Sequence, residues 1–115
     1  MGPINWIAVG VAALLGAAVL WASMRKAGGT IWVYALQIVP AAMLGHALAR
    51  IGPDKLAMKP QLYFMQAGGL ALAIVIPALW IVGARAGIPA RQTARDSLAF
   101  MLAYLVMGAV FWGMV

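Results

Sequence analysis

Apolar residues run through this chain in four long blocks, at about Ile4–Ala22, Ile31–Ala49, Leu62–Ala84 and Ala90–Val115, and the short segments between them gather most of the charge. No block alternates apolar and polar residues as a barrel strand would, and in lipid the backbone of a spanning segment must satisfy its own hydrogen bonds. Each block therefore predicts a helix. A crossing needs about 20 residues of helix, so four crossings nearly exhaust 115 residues. The expected fold is an all-α membrane protein: one transmembrane domain over 1–115, with four helices in an up-down bundle joined by short linkers.

Punctuation along the chain supports these limits. Ser23 to Thr30 brings two positive charges and then Gly28-Gly29, a helix stop. The segment Arg50 to Pro60 holds two prolines and a Gly52-Pro53-Asp54 turn signal, so it predicts a break rather than continued helix. Gly87 predicts the end of the third helix, and Pro89 the first residue of the fourth. At 1.5 Å per residue that fourth helix would be about 39 Å long against roughly 30 Å of hydrocarbon, which leaves its first two turns among the headgroups. The first block follows Met1-Gly2-Pro3-Ile4-Asn5 with no Lys or Arg ahead of it, and so is expected to be a retained helix rather than a signal peptide. Proline inside a helix removes a hydrogen bond, so Pro40 and Pro77 predict kinks in the second and third helices.

Composition agrees with a lipid environment. Hydrophobic residues make up 66% of the chain and charged residues 9%, with a mean hydropathy of +0.99. Soluble domains are near half apolar and a quarter charged. The five tryptophans, Trp6, Trp21, Trp32, Trp80 and Trp112, fall near block ends, where indole rings anchor a helix at the membrane surface. Arg25, Lys26, Arg85, Arg91 and Arg95 share one side of the expected topology, and Arg50, Lys55 and Lys59 the other. The positive-inside rule then places both termini outside the cytoplasm. The net charge of +6 fits this flanking role and contact with anionic headgroups, so no nucleic-acid partner is expected.

Helix association in lipid depends on close backbone approach, which small residues permit. Ala8, Ala12 and Gly16 lie four residues apart in the first helix, and Gly69 and Ala73 at the same spacing in the third. These stripes predict packing of the first helix on the third, or of either on a partner protein.

Candidate chemistry is sparse. With no cysteine, thiolate metal sites and disulfides are excluded. Asp54 and Asp96 are the only carboxylates: Asp54 reads as a turn residue, and Asp96, beside Arg95, as local charge compensation. His46 is the single histidine, and an ionisable residue within an apolar block is a functional suspect. Ala42-Met43-Leu44-Gly45-His46 resembles the Ala-x-x-x-His element by which bacterial light-harvesting polypeptides ligate bacteriochlorophyll, a likeness that implies a pigment or haem ligand at His46. It covers five residues, and those polypeptides cross the membrane once. The four-helix outline also resembles the small multidrug-resistance transporters, whose exchange depends on a glutamate in the first helix. This chain has no glutamate, which excludes that family. Gln37, Gln66 and the tyrosines are too few to line a water-filled pore.

The opening Ile4-Asn5-Trp6-Ile7-Ala8-Val9-Gly10-Val11-Ala12-Ala13 and the closing Asp96 to Val110 resemble an uncharacterised family of small bacterial integral membrane proteins, filed as a domain of unknown function. The resemblance lies at both ends of the chain. It implies topology and a bacterial inner membrane, and no site. That family often carries Trp-Tyr and a proline where the first helix ends, in place of Trp21-Ala22-Ser23 here.

No pair of groups offers an acid and a base together, so no enzymatic reaction, metal or cofactor is expected. The favoured expectation is a non-enzymatic accessory or structural subunit that packs against a larger membrane complex or copies of itself. The second is a binding or transport module holding a haem, chlorin, quinone or lipid near His46 and the Pro40 and Pro77 kinks.

Overall fold

The computed structural model describes residues 5–24 and 35–114, and among these every regular element is helical. Helix α1 spans Trp6–Met24 and α2 spans Ile38–Ile51, the latter entered through a 3₁₀ turn at residues 35–37. Helix α3 is Pro53–Met58 and α4 is Gln61–Leu70. A π-helical turn at Ala71–Val75 joins α4 to α5, Ile76–Arg85, and α6 runs Ala90–Gly113. By length and composition, three helices can cross a membrane: α1, the continuous rod Gln61–Arg85, and α6. The apolar helix Ala35–Ile51 is shorter, and the expected start of the second helix at residues 31–34 lies outside the described residues.

Helix α1 begins where Asn5 supplies a cap. Its Oδ1 accepts a hydrogen bond from the Ala8 N–H at 3.1 Å, filling one of the donors that every helix start leaves open. Its Nδ2 donates to the Met114 carbonyl at 3.4 Å, which ties the start of α1 to the end of α6 and runs the two helices antiparallel. Van der Waals contacts extend the same register. A Cβ on Gly16 of α1 would sit 3.1 Å from Met107 of α6 and 3.2 Å from Gln37, at the start of α2. One on Gly45 of α2 would sit 2.8 Å from Val9 of α1 and 3.3 Å from Phe111 of α6. Thus α1 lies antiparallel to both α2 and α6.

The rod 61–85 pairs with the other flank of α6. A Cβ on Gly108 would meet the Tyr63 carbonyl oxygen at 2.9 Å and the Ala67 Cβ at 3.0 Å, while one on Gly83, near the far end, would meet Thr93 Oγ1 at 2.8 Å. Helix α6 is therefore the hub, with α1 and the rod packed on it, and α2 packs chiefly on α1 while also touching α6 and α4. Val9, Leu44 and Met107 are fully buried at the centre, surrounded by the alanines Ala8, Ala12, Ala41, Ala67, Ala71 and Ala103. Small side chains at the contacts let the backbones approach closely, which is the main source of helix adhesion in hydrocarbon.

Three expectations change. The first concerns the linker 50–60, which is mostly helix rather than a break. Pro53 opens α3, where the missing N–H is one that no helix start could use. Leu56 is buried and pins the short helix to the core. The interruptions narrow to Lys59–Pro60 and to Gly52, the latter at φ 93° and ψ 151°, a conformation that only glycine adopts without strain.

Second, the expected kink sites at Pro40 and Pro77 each follow an irregular turn. Pro40 falls in the first α-helical turn of α2, just after the 3₁₀ residues. Pro77 is the second residue of α5 and follows the π turn, in which Ile76 N–H reaches back five residues to the Ala71 carbonyl. The wide turn has a packing consequence. Tyr63, Ala67, Ala71, Val75, Leu79 and Gly83, every fourth residue, are all buried or half-buried. On an ideal α-helix such a stripe would drift by about 40° per step. A turn that winds less per residue takes back part of that drift and keeps Gly83 facing α6.

Third, the first helix does not pack on the third. Among the described residues α1 meets α2 and α6 and makes no contact with α4 or α5.

The α5–α6 connection follows the glycine signal. Gly87 takes φ +73°, its N–H reaches the Ala84 carbonyl at 3.3 Å, and Ile88 N–H reaches the Gly83 carbonyl at 2.8 Å. This pair of bonds is the Schellman closure of a helix end. Pro89 caps α6 from outside instead of being its first residue.

Candidate functional site

The residues singled out by sequence divide between an inner seam and an outer face. On the seam, Ala8 and Ala12 have no exposed surface, and Gly16 is buried between Met107 and Gln37. Gln37 itself is 6% exposed, and its Nε2 donates to the Met107 sulfur at 3.5 Å, a weak bond to a soft acceptor. These groups hold α1, α2 and α6 together. They leave no reactive atom facing an open space.

Gly69 and Ala73 lie on the outer face of the rod 61–85. Both are exposed, and a Cβ on Gly69 would meet nothing within 4 Å. Met65, Leu72, Ile74, Ile81 and Val82 are also exposed on this rod. Only 17% of its membrane-length window is buried within the chain, against 33% for α1 and 39% for α6. Leaving so much apolar surface to water is unfavourable, so a face of this kind marks contact with lipid or with another protein.

His46 is exposed on the outer side of α2, although its neighbour Gly45 is buried in the seam with Val9 and Phe111. Helices α2 and α5 make no contact among the described residues, so His46 and Pro40 are not brought to one site with Pro77. The reason is topological: α2 packs chiefly on α1, while α5 packs on α6. No group of three or more His, Cys, Asp or Glu gathers among the described residues in a way that could hold a metal ion.

Trp6, Trp21, Trp80 and Trp112 are all substantially exposed, and Trp32 lies outside the described residues. The antiparallel packing puts Trp6 and Trp112 at one end of the molecule and Trp21 and Trp80 toward the other. Trp112 also stacks edge-on against Phe64 of α4, with ring centroids 6.0 Å apart. Arg50, Lys55 and Lys59 belong to the first end, Arg85, Arg91 and Arg95 to the second, and all are exposed. Arg25 and Lys26 lie outside the described residues.

Sequence reasoning missed Asn5 as a cap and Gly45, Gly83 and Gly108 as the points of closest helix approach. The cap had a signal, a polar residue immediately before an apolar run. The glycines had only a weak one, since Gly10 is equally mid-helix and touches nothing within 4 Å. No family model, no curated protein and no solved structure matches this chain.

Proposed function

We propose that this is a small multi-pass protein of the bacterial inner membrane, crossing it four times with both termini outside the cytoplasm. Its role is that of a non-enzymatic accessory or structural subunit, packing its outer face against a larger membrane complex or copies of itself. The observation that carries the reading is the asymmetry of the rod 61–85, which is long enough to span and yet mostly unburied, with Gly69 and Ala73 free on its outer side. In lipid, a small-residue notch at four-residue spacing lets a second helix approach closely. The sequence offers no pair of groups suited to serve as acid and base together, which favours a packing role over a chemical one. The resemblance at the two ends of the chain supports the topology and the bacterial inner membrane, and adds no activity.

The test uses the lack of cysteine. Single Gly69→Cys and Ala73→Cys variants, oxidised in the native membrane, should form disulfide-linked dimers or cross-link to a larger subunit that co-purifies after gentle extraction. Ala78→Cys, exposed and two turns further along, should cross-link less. A protein that stays monomeric and partnerless at both positions overturns the reading.

A further inference from the structure

The outer face of α6 carries a pattern that the packing role does not use. Arg91, Arg95, Leu98 and Leu102 are all exposed, Leu98 at 72% and Leu102 at 54%. At roughly 100° per residue these four positions fall within an arc of about 60°, so they form one stripe: two guanidinium groups, then two leucines one to two turns deeper. Asp96, the helix's one carboxylate, is turned about 100° away from Arg95 and is half-buried. It does not lie on the stripe.

Length sets the depth of this stripe. The 24 residues of α6 extend about 36 Å, beyond a hydrocarbon layer of roughly 30 Å, so the surplus falls at one or both ends. The charged end is the one that cannot enter the tails. Arg91 and Arg95 then stand at phosphate depth and Leu98 and Leu102 at the start of the acyl region. We infer that this stripe is a binding surface for an anionic phospholipid, whose phosphate the two arginines hold while an acyl chain lies along the leucines. Guanidinium groups suit the task because their fixed N–H forks match phosphate oxygens.

The opposite end carries only part of the pattern: on α2 a single arginine, Arg50, stands above the exposed Met43 and Val39, with no second guanidinium on that stripe. Lys55 lies in the short helix α3 with Asp54 beside it, Lys59 caps the end of that helix, and Leu56 is buried rather than laid out below the lysines. That end provides an internal control. The inference rests on the membrane-spanning reading, and the two can fail separately.

The experiment measures binding of fluorescent short-chain phosphatidylglycerol and phosphatidylcholine to the full-length protein in neutral nanodiscs. The wild type should prefer the anionic lipid. Arg91→Gln/Arg95→Gln should lose that preference by roughly thirtyfold, as expected for two basic groups at a headgroup layer, whereas Lys55→Gln/Lys59→Gln should keep it. Arg91→Lys/Arg95→Lys should fall between, retaining charge without the fork. If the double glutamine variant does not fold, the single variants Arg91→Gln and Arg95→Gln carry the same comparison. Equal preference in wild type and arginine variants, or equal loss in the lysine control, overturns the inference. A chain that detaches from membranes in alkaline carbonate without detergent would instead overturn the membrane reading itself.

Discussion

Two stripes of small residues share one spacing and meet opposite fates. Ala8, Ala12 and Gly16 of α1 face inward and are buried against α2 and α6, whereas Gly69 and Ala73 of the rod 61–85 face outward and are exposed. The rod does have an inner contact line, but other residues make it: Tyr63, Ala67, Ala71 and Gly83. A stripe of small residues thus reports where a backbone can be approached, and leaves open by what. In lipid there is little hydrophobic gain from helix against helix, so steric fit decides which faces close. The inner seam is complete within the chain. The outer one is free for lipid or another subunit.

Substitutions that enlarge residues on each side of this divide should separate the two most sharply. Gly108→Ala places a Cβ 2.9 Å from the Tyr63 carbonyl oxygen, which belongs to the backbone and cannot swing aside. It should destabilise the fold by about 3 kcal/mol, the upper range for overpacking, read as an earlier midpoint in a detergent unfolding titration. A midpoint equal to wild type would mean that α4 and α6 do not cross there.

Next in size comes Gly52→Ala, at the hinge between α2 and α3. There φ 93° with ψ 151° is costly for any L-residue, about 1–3 kcal/mol. Asn5→Ala should lose the cap of α1 and the tie to Met114, for about 1 kcal/mol, and fray the first turn of α1 in amide exchange. At the far end of the scale, Gly69→Leu should change the stability of the isolated chain by less than about 0.5 kcal/mol, because the site is open. The same change should abolish the cross-linking of Ala73→Cys if a partner helix rests in that notch. Loss of stability in the isolated chain would place Gly69 inside the fold and erase the comparison.

The contrast also explains what could be read from sequence. The all-helical character and the rough extents of α1, the rod and α6 follow from apolar runs, since a spanning backbone in lipid has few other forms open to it. Gly87 reads correctly as a stop because a left-handed residue at a helix end favours glycine. Which helix touches which is not written in those runs. Apolar residues are needed on lipid-facing and protein-facing sides alike, so the outward Leu72 and Ile74 and the inward Val9 and Leu44 look the same in one dimension. Glycine does not resolve the ambiguity, as Gly108 sits against a backbone and Gly10 against nothing. The prolines were only partly legible: Pro53 opens a short helix where a break was expected, and the 3₁₀ turn before Pro40 and the π turn before Pro77 carry no sequence signal of their own. His46 drew suspicion by chemistry alone, and its place on the outer side of α2 is set by the buried Gly45 beside it.

The central claim is that four helices alternate across a bilayer. Cysteines placed one at a time at Ser23, Ala57, Ala86 and Met114, all exposed, can be probed with a membrane-impermeant maleimide on intact and on permeabilised spheroplasts. Ala57→Cys and Met114→Cys should label from outside in intact cells, and Ser23→Cys and Ala86→Cys only after permeabilisation. Labelling of Ala57→Cys and Ala86→Cys from the same face would contradict the four-crossing topology.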